Sequence, residues 1–176
     1  MTLIVNFFGG PSCGKSTIAA GVFYQLKRKM FNVELVTEFA KDLVWEKRKS
    51  ALDCQPYVFG KQLHKLERLI NQTDVIVTDS PILLSVVYNK KYPESFTDSV
   101  VQIFNSMNNL SYFIDRNENK YDSVGREQTI EEAVEIDDKI KNFLNAKNIK
   151  YQNIIKHYDN IDKVINDIEN ENPVAY

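Results

Sequence analysis

The sequence predicts an α/β fold, a three-layer α/β/α sandwich built on a five-stranded, mainly parallel sheet. Three observations carry that expectation. The run from Thr2 to Phe8 is almost continuously apolar, as a strand buried on both faces must be. Short β-branched runs then alternate with longer stretches of helical periodicity, the pattern of right-handed β-α-β crossovers. Finally, a glycine-rich turn separates the first apolar run from the first helix.

The elements follow in order. After the first strand, Ser16 to Met30 carries helix formers and ends in Lys27-Arg28-Lys29, cations that suit the negative end of a helix. Val33 to Val36 reads as the second strand, delivering Thr37 and Glu38 at its carboxyl end, and Phe39 to Lys49 as one helix. Pro56 opens a helix running to about Asn71, with Val58, Phe59, Leu63, Leu66, Leu69 and Ile70 near 3.6-residue spacing. Val75 to Thr78 is the third strand, punctuated by Asp79-Ser80-Pro81. Ser95 to Met107 predicts a helix and Leu110 to Ile114 the fourth strand. The long helix Thr129 to Ala146 has Glu131, Glu132 and Glu135 early, where its positive end favours them. Ile149 to Ile155 is the fifth strand and Ile161 to Glu169 the closing helix.

Residues 1–170 therefore read as a single domain with a tail at 171–176. With 176 residues, 43% hydrophobic and 26% charged, the chain has the balance of one ordinary globular domain. Its formal net charge of -2 excludes the bulk basic excess that steers a protein onto nucleic acid, although a local patch is compatible with it. No apolar stretch reaches the ~20 residues a membrane span needs, and the first strand begins too early for a signal peptide. A cytoplasmic protein is expected. Cys13 and Cys54 have no metal-site or disulfide spacing and read as free thiols, with modification of Cys13 expected to block the glycine-rich turn.

That turn, Gly9-Gly10-Pro11-Ser12-Cys13-Gly14-Lys15-Ser16-Thr17, satisfies G-x-x-x-x-G-K-[ST] and lies between a buried strand and a helix start, where a phosphate-binding loop must lie. Backbone amides wrap the β-phosphate, the helix start adds positive partial charge, Lys15 reaches the β- and γ-phosphates, and Ser16 can ligate Mg²⁺. ATP, or GTP in its place, is the expected ligand.

Asp79 ends the third strand at the sheet edge where parallel sheets gather ligands. It can hold Mg²⁺, act as a base toward an acceptor hydroxyl, or cap the helix after Pro81. Glu38 occupies the same edge and can hold the hydroxyls of a neutral acceptor, or simply lie solvated at a helix start. An acceptor monophosphate would instead prefer cations such as Arg48. Gln62, His64 and Lys65 face the same region, and Phe39, Trp45, Tyr57 and Phe59 could stack on a ring or pack in the core.

The polar stretch from Asp115 to Gln128 is long for a connection and reads as a lid near 116–128. Arg126, freed by Gly125, is the first choice to stabilise a transferring phosphoryl group, and Arg116 the second; either could equally form a surface ion pair. The loop near Lys156 to Asp159 is the candidate surround for the base of the donor.

Several segments together carry a family likeness. They are the loop at 9–16, Thr37-Glu38-Phe39-Ala40 with Trp45-Glu46-Lys47, Gln55-Pro56 with Gly60-Lys61-Gln62, and Val77-Thr78-Asp79-Ser80-Pro81. The sequence resembles, from residue 3 to about 156, the AAA_28 group of small P-loop kinases. That group includes the nicotinamide riboside kinase domain of NadR and phage-encoded nucleotide-kinase-like proteins. The resemblance implies a P-loop NTPase fold like that of nucleoside and nucleotide kinases, with Asp79 as its strand-end carboxylate and Gly125-Arg126 in its lid. It also implies transfer of the γ-phosphoryl of Mg²⁺-ATP to a nucleoside- or nucleotide-like small molecule, and a phage-encoded setting in host cytoplasm. Two further readings stand beside it: a kinase of a modified base, hydroxymethyluracil, in DNA, and a nucleotide-dependent switch. No membrane partner is expected, and the sequence makes no statement on oligomeric state.

Overall fold

The computed structural model describes residues 1–116, 129–155 and 159–171. They form β1 (Leu3–Phe8), α1 (Lys15–Arg28), β2 (Val33–Val36), α2 (Phe39–Trp45), α3 (Lys49–Leu52), α4 (Gln55–Glu67), β3 (Val75–Thr78), α5 (Leu84–Val87), α6 (Glu94–Asn105), β4 (Asn108–Asp115), α7 (Ile130–Ala146), β5 (Gln152–Ile155) and α8 (Asp159–Glu171). The five strands pair in the order β2-β3-β1-β4-β5, every pair parallel. This is the predicted sandwich.

β1 is the centre of the sheet, and all six of its residues are buried. Its side chains alternate between two cores, as a strand's two-residue period requires. Leu3, Val5 and Phe7 pack with Ile18, Val22 and Leu26 of α1 and Val164 and Ile168 of α8. Ile4 and Phe8 face Leu66 of α4, Phe104 of α6 and Ile140 of α7. Two separate cores on opposite faces of one sheet make the three layers. The Tyr112 ring stacks on Phe7 at 5.7 Å and its hydroxyl donates to Asp167 Oδ2 at 2.8 Å. Burial first, and then the Asp167 carboxylate, hold that phenol well above its ordinary pKa, so it stays a donor.

Some helix ends differ from the expected ones, and one closure recurs among the helix ends. The single helix expected over 39–49 divides at Lys47, whose φ is 56°. Lys47 N–H bonds Val44 O at 3.0 Å and Arg48 N–H bonds Leu43 O at 2.9 Å, the paired closure of a Schellman motif. α1 ends the same way at Met30 (φ 64°), and α7, whose end at Ala146 is the expected one, closes likewise at Asn148 (φ 55°). None of these left-handed positions is a glycine, so the stops of α1 and α2 carried no glycine mark. The helix from Pro56 ends at Glu67 rather than near Asn71, and α5 was not expected at all. The start of α7 follows its sequence: Thr129 Oγ1 accepts from Glu132 N–H at 3.3 Å, and Glu132 returns the contact to Thr129 N–H at 2.8 Å.

Parallel strands with a common direction bring their carboxyl ends to one edge. There the loop after β1 lies between the turn after β3, beginning at Asp79, and the end of β4, at Asp115 and Arg116. No helix among the described residues is long and apolar enough to cross a membrane. The lid expected at 116–128 lies outside the described residues from 117 onward, and with it Arg126. The loop expected beside the base, Lys156 to Asp159, lies outside them too, apart from the backbone of Asp159.

Candidate nucleotide site

The loop from Gly9 to Gly14 leaves β1 and turns into α1 through Gly14, whose φ of 104° a side chain would strain. No side chain caps the start of α1, so the amides of its first turn keep their donors for a ligand. Orphan amides and the positive end of a 14-residue helix make an anion site. Ser16 and Thr17 stand exposed at that helix start, while Pro11 and Cys13 are buried in the loop. Cys13 is 3% exposed, so a thiol reagent has to open the loop to reach it.

Lys15 folds back over the turn and donates to Gly9 O at 2.7 Å and Gly10 O at 2.8 Å. The ammonium is thus held across the loop on two neutral carbonyl acceptors.

The back of the loop is braced from α7. Asp137 Oδ1 accepts from Gly10 N–H, and Asp137 Oδ2 meets Arg116 Nε at 2.9 Å. Arg116 Nη2 donates to Pro11 O at 2.7 Å. Gly10 is needed here for close approach: a Cβ would come within 2.7 Å of Ala133 O and 2.8 Å of Asp137 Oδ1. The Arg116 and Asp137 side chains are 16% and 11% exposed, a largely desolvated pair. Arg116, expected as an arm of the lid, is fixed behind the loop in this structure. Asp137 escaped the sequence reading. Replacing Asp137 with alanine leaves both Arg116 and the Gly10 amide without their partner, and is expected to cost about 3 kcal/mol of stability. Urea unfolding of the variant against the parent measures this, and a loss below about 0.5 kcal/mol would be that of an ordinary surface change.

On the other side of β1, Thr78 Oγ1 donates to Val36 O at 2.9 Å and accepts from Ser80 N–H at 3.1 Å, fixing the turn after β3. Asp79 in that turn is 5% exposed, and its Oδ1 is fully buried with no hydrogen-bond partner among the described residues. A buried carboxylate oxygen left bare costs stability and persists where a cation or donor is meant to meet it. The Asp79 carboxylate and the Ser16 hydroxyl, at the same sheet edge, are oxygen donors of the type that magnesium takes. Among the described residues no cluster of three or more His, Cys, Asp or Glu suggests a different metal site.

A cavity of about 460 Å³ adjoins the loop. Pro11 and Lys15 line one end; Glu38, Ser80, Pro81 and Ile82 line the wall, and residues of α2, α3 and α4 enclose it. Glu38 is the N-cap residue of α2 but makes no side-chain cap bond to it. Gln62 is 3% exposed and lines the cavity while holding the turn that carries Glu38, accepting from Phe39 N–H at 3.0 Å and donating to Thr37 O at 3.4 Å. Arg48 lies elsewhere: it is exposed, pairs with Glu46 at 3.3 Å and does not line the cavity. Of the four aromatics Phe39, Trp45, Tyr57 and Phe59, only Phe59 lines it, and Trp45 is 59% exposed. His64 is exposed outside it. Lys41, Lys49, Lys90 and Lys91 also line the cavity, and sequence reading missed them as site residues. The Lys90-Lys91 doublet before Tyr92 was the available signal.

The AAA_28 family model, described as an AAA domain, matches residues 4–160. No curated protein matches the chain.

Proposed function

The chain belongs to the AAA_28 family, and on that footing we propose that it is an ATP-dependent phosphotransferase. It passes the γ-phosphoryl group of ATP, with GTP as the alternative donor, to a nucleoside- or nucleotide-like acceptor in the cytoplasm. One observation carries the reading: the phosphate loop opens into a second compartment, the 460 Å³ cavity that Lys15 and Pro11 share with the turn after β3. A nucleotide switch has to admit only water beside its γ-phosphate. A compartment of this size, walled by Val58, Phe59 and Leu84 and carrying polar groups at the loop end, suits a second small molecule.

In this reading the loop amides and Lys15 hold the triphosphate, and Lys15 follows charge onto the γ-phosphoryl oxygens as the bond to ADP breaks. Ser16 and Asp79 would hold magnesium, which supplies further neutralisation of the phosphate oxygens when bound with the nucleotide. Glu38 orients the acceptor, and Gln62 positions the turn that carries Glu38. Arg116 and Asp137 act through the loop, keeping Gly10 and Pro11 in place. Arg126 is proposed, from the sequence alone, as the arginine that meets the transferring group.

The test follows the label of γ-labelled ATP, with magnesium, into a panel of nucleosides, nucleoside monophosphates, nicotinamide riboside and DNA containing hydroxymethyluracil. Label in a small acceptor is the expected result. Label in the DNA alone would make the chain a modified-base kinase, and slow release of free phosphate with no labelled acceptor would make it a switch.

A further inference from the structure

The cavity's charge is opposite in sign to the chain's. Five lysines, Lys15 among them, and two carboxylates, Glu38 and Asp53, line it, a formal balance of +3 on a molecule whose net charge is -2. The four lysines outside the phosphate loop come from separate places: Lys41 from α2, Lys49 from the start of α3, and Lys90 with Lys91 from the segment after α5. They are therefore not one solvated helix face. Among the described residues none of Lys41, Lys49 and Lys90 forms an ion pair, whereas nearby Arg48 and Lys65 pair with Glu46 and Asp42. Like charges gathered around a concavity repel one another and gain nothing from folding; they raise the local concentration of anions.

Resting on the kinase reading above, we propose that the acceptor is a nucleoside monophosphate, whose phosphate is received between Lys41, Lys49, Lys90 and Lys91. A neutral nucleoside would leave this cluster without a partner. The apolar wall formed by Val58, Phe59 and Leu84 suits the base, and Glu38 the hydroxyls of the sugar. The cavity volume is that of a site for one small molecule rather than a track for a polymer, and the chain lacks the overall basic excess of a DNA-binding protein.

The chemistry balances without a base. With a second pKa of about 6, a phosphate monoester is mainly a dianion at neutral pH. One of its oxygens attacks the γ-phosphorus of ATP. A new P–O bond forms, the bond from the γ-phosphorus to the β–γ bridging oxygen breaks, and ADP leaves with the electron pair. The product is a nucleoside diphosphate, and no proton has to be removed from the nucleophile.

Calorimetry on the full chain without ATP separates this proposal from the kinase reading, because it asks only for binding. The titrants are the monophosphates of each common base, the matching nucleosides, and a short single-stranded oligonucleotide. At least one monophosphate should bind about 100-fold more tightly than its nucleoside, the scale of two charge-assisted hydrogen bonds. That preference should shrink about tenfold in a Lys90→Ala/Lys91→Ala variant and again in a Lys41→Ala/Lys49→Ala variant, and it should weaken with added salt. Lys49, Lys90 and Lys91 are exposed and Lys41 is half-buried, so these substitutions should leave the fold intact, which a thermal melt verifies. Equal affinity for nucleoside and monophosphate at every base would overturn the proposal, as would monophosphate affinity unchanged in both variants, or an oligonucleotide preferred over every mononucleotide. Lysine-dependent monophosphate binding with no phosphoryl transfer from ATP would leave the monophosphate site between these lysines standing and remove the kinase reading, and with it the acceptor role, instead.

Discussion

Replacing Lys15 with alanine is expected to lower ATP affinity by about 100-fold or more and to abolish measurable turnover, while the protein stays folded. The size follows from what the ammonium does. It lies across the phosphate loop, 2.7 and 2.8 Å from the carbonyl oxygens of Gly9 and Gly10, and a triphosphate exchanges those neutral acceptors for charged ones. Each charge-assisted bond lost is worth about 1.5–3 kcal/mol, so two such bonds reach the stated factor. Stability should change little, by about 1 kcal/mol, because the side chain is only part-buried and the loop keeps its brace from Asp137 and Arg116. Calorimetric titration with ATP and a thermal melt on the same sample separate the two effects. Turnover retained in the variant would refute the assignment of this loop to the donor.

Much of this site was legible because it is local. The pattern from Gly9 to Thr17 carries the loop geometry in its own residues: glycine at the left-handed Gly14, glycine again where Gly10 meets α7, and lysine at the helix start. β1, β2 and β3 were legible for a similar reason, since each is a short, largely apolar run. β4 instead starts two residues before the expected Leu110 and β5 three residues after the expected Ile149, where polar residues blur the run. What stayed hidden is what depends on chain distance. The contact between Gly10 and Asp137 spans 127 positions, and nothing around Asp137 distinguishes it from the other acids of α7. The four cavity lysines outside the phosphate loop belong to three segments whose convergence is a property of the packed fold. Arg48 was the natural sequence choice for an acceptor phosphate because it follows the Glu38 turn, yet the Schellman closure at Lys47 sends the chain round, and Arg48 ends beside Glu46 instead. That closure uses lysine where glycine is usual, so the residue types gave no warning of it.

The second large effect is expected at Asp79, and it has opposite signs for activity and stability. Asp79→Asn should reduce turnover by about 1,000-fold or more if the carboxylate holds magnesium, while raising the stability of the ligand-free protein by about 1 kcal/mol. The argument for the gain starts from burial: the side chain is 5% exposed and Oδ1 has no hydrogen-bond partner among the described residues. A carboxylate with one oxygen buried and bare costs more than an amide in the same place, so the neutral isostere relieves part of that cost. Functional groups held in unfavourable surroundings commonly show this trade. The melting temperature also reports on the metal without any turnover, because a ligand at free concentration L that binds only the folded chain stabilises it by RT ln(1 + L/Kd). Adding magnesium to the ATP-bound parent should raise the melting temperature further, and in Asp79→Asn that increment should vanish while the shift from metal-free ATP remains. A variant less stable than the parent, with the magnesium increment intact, would instead identify Asp79 as a structural cap of the turn before α5 and exclude it from the metal site.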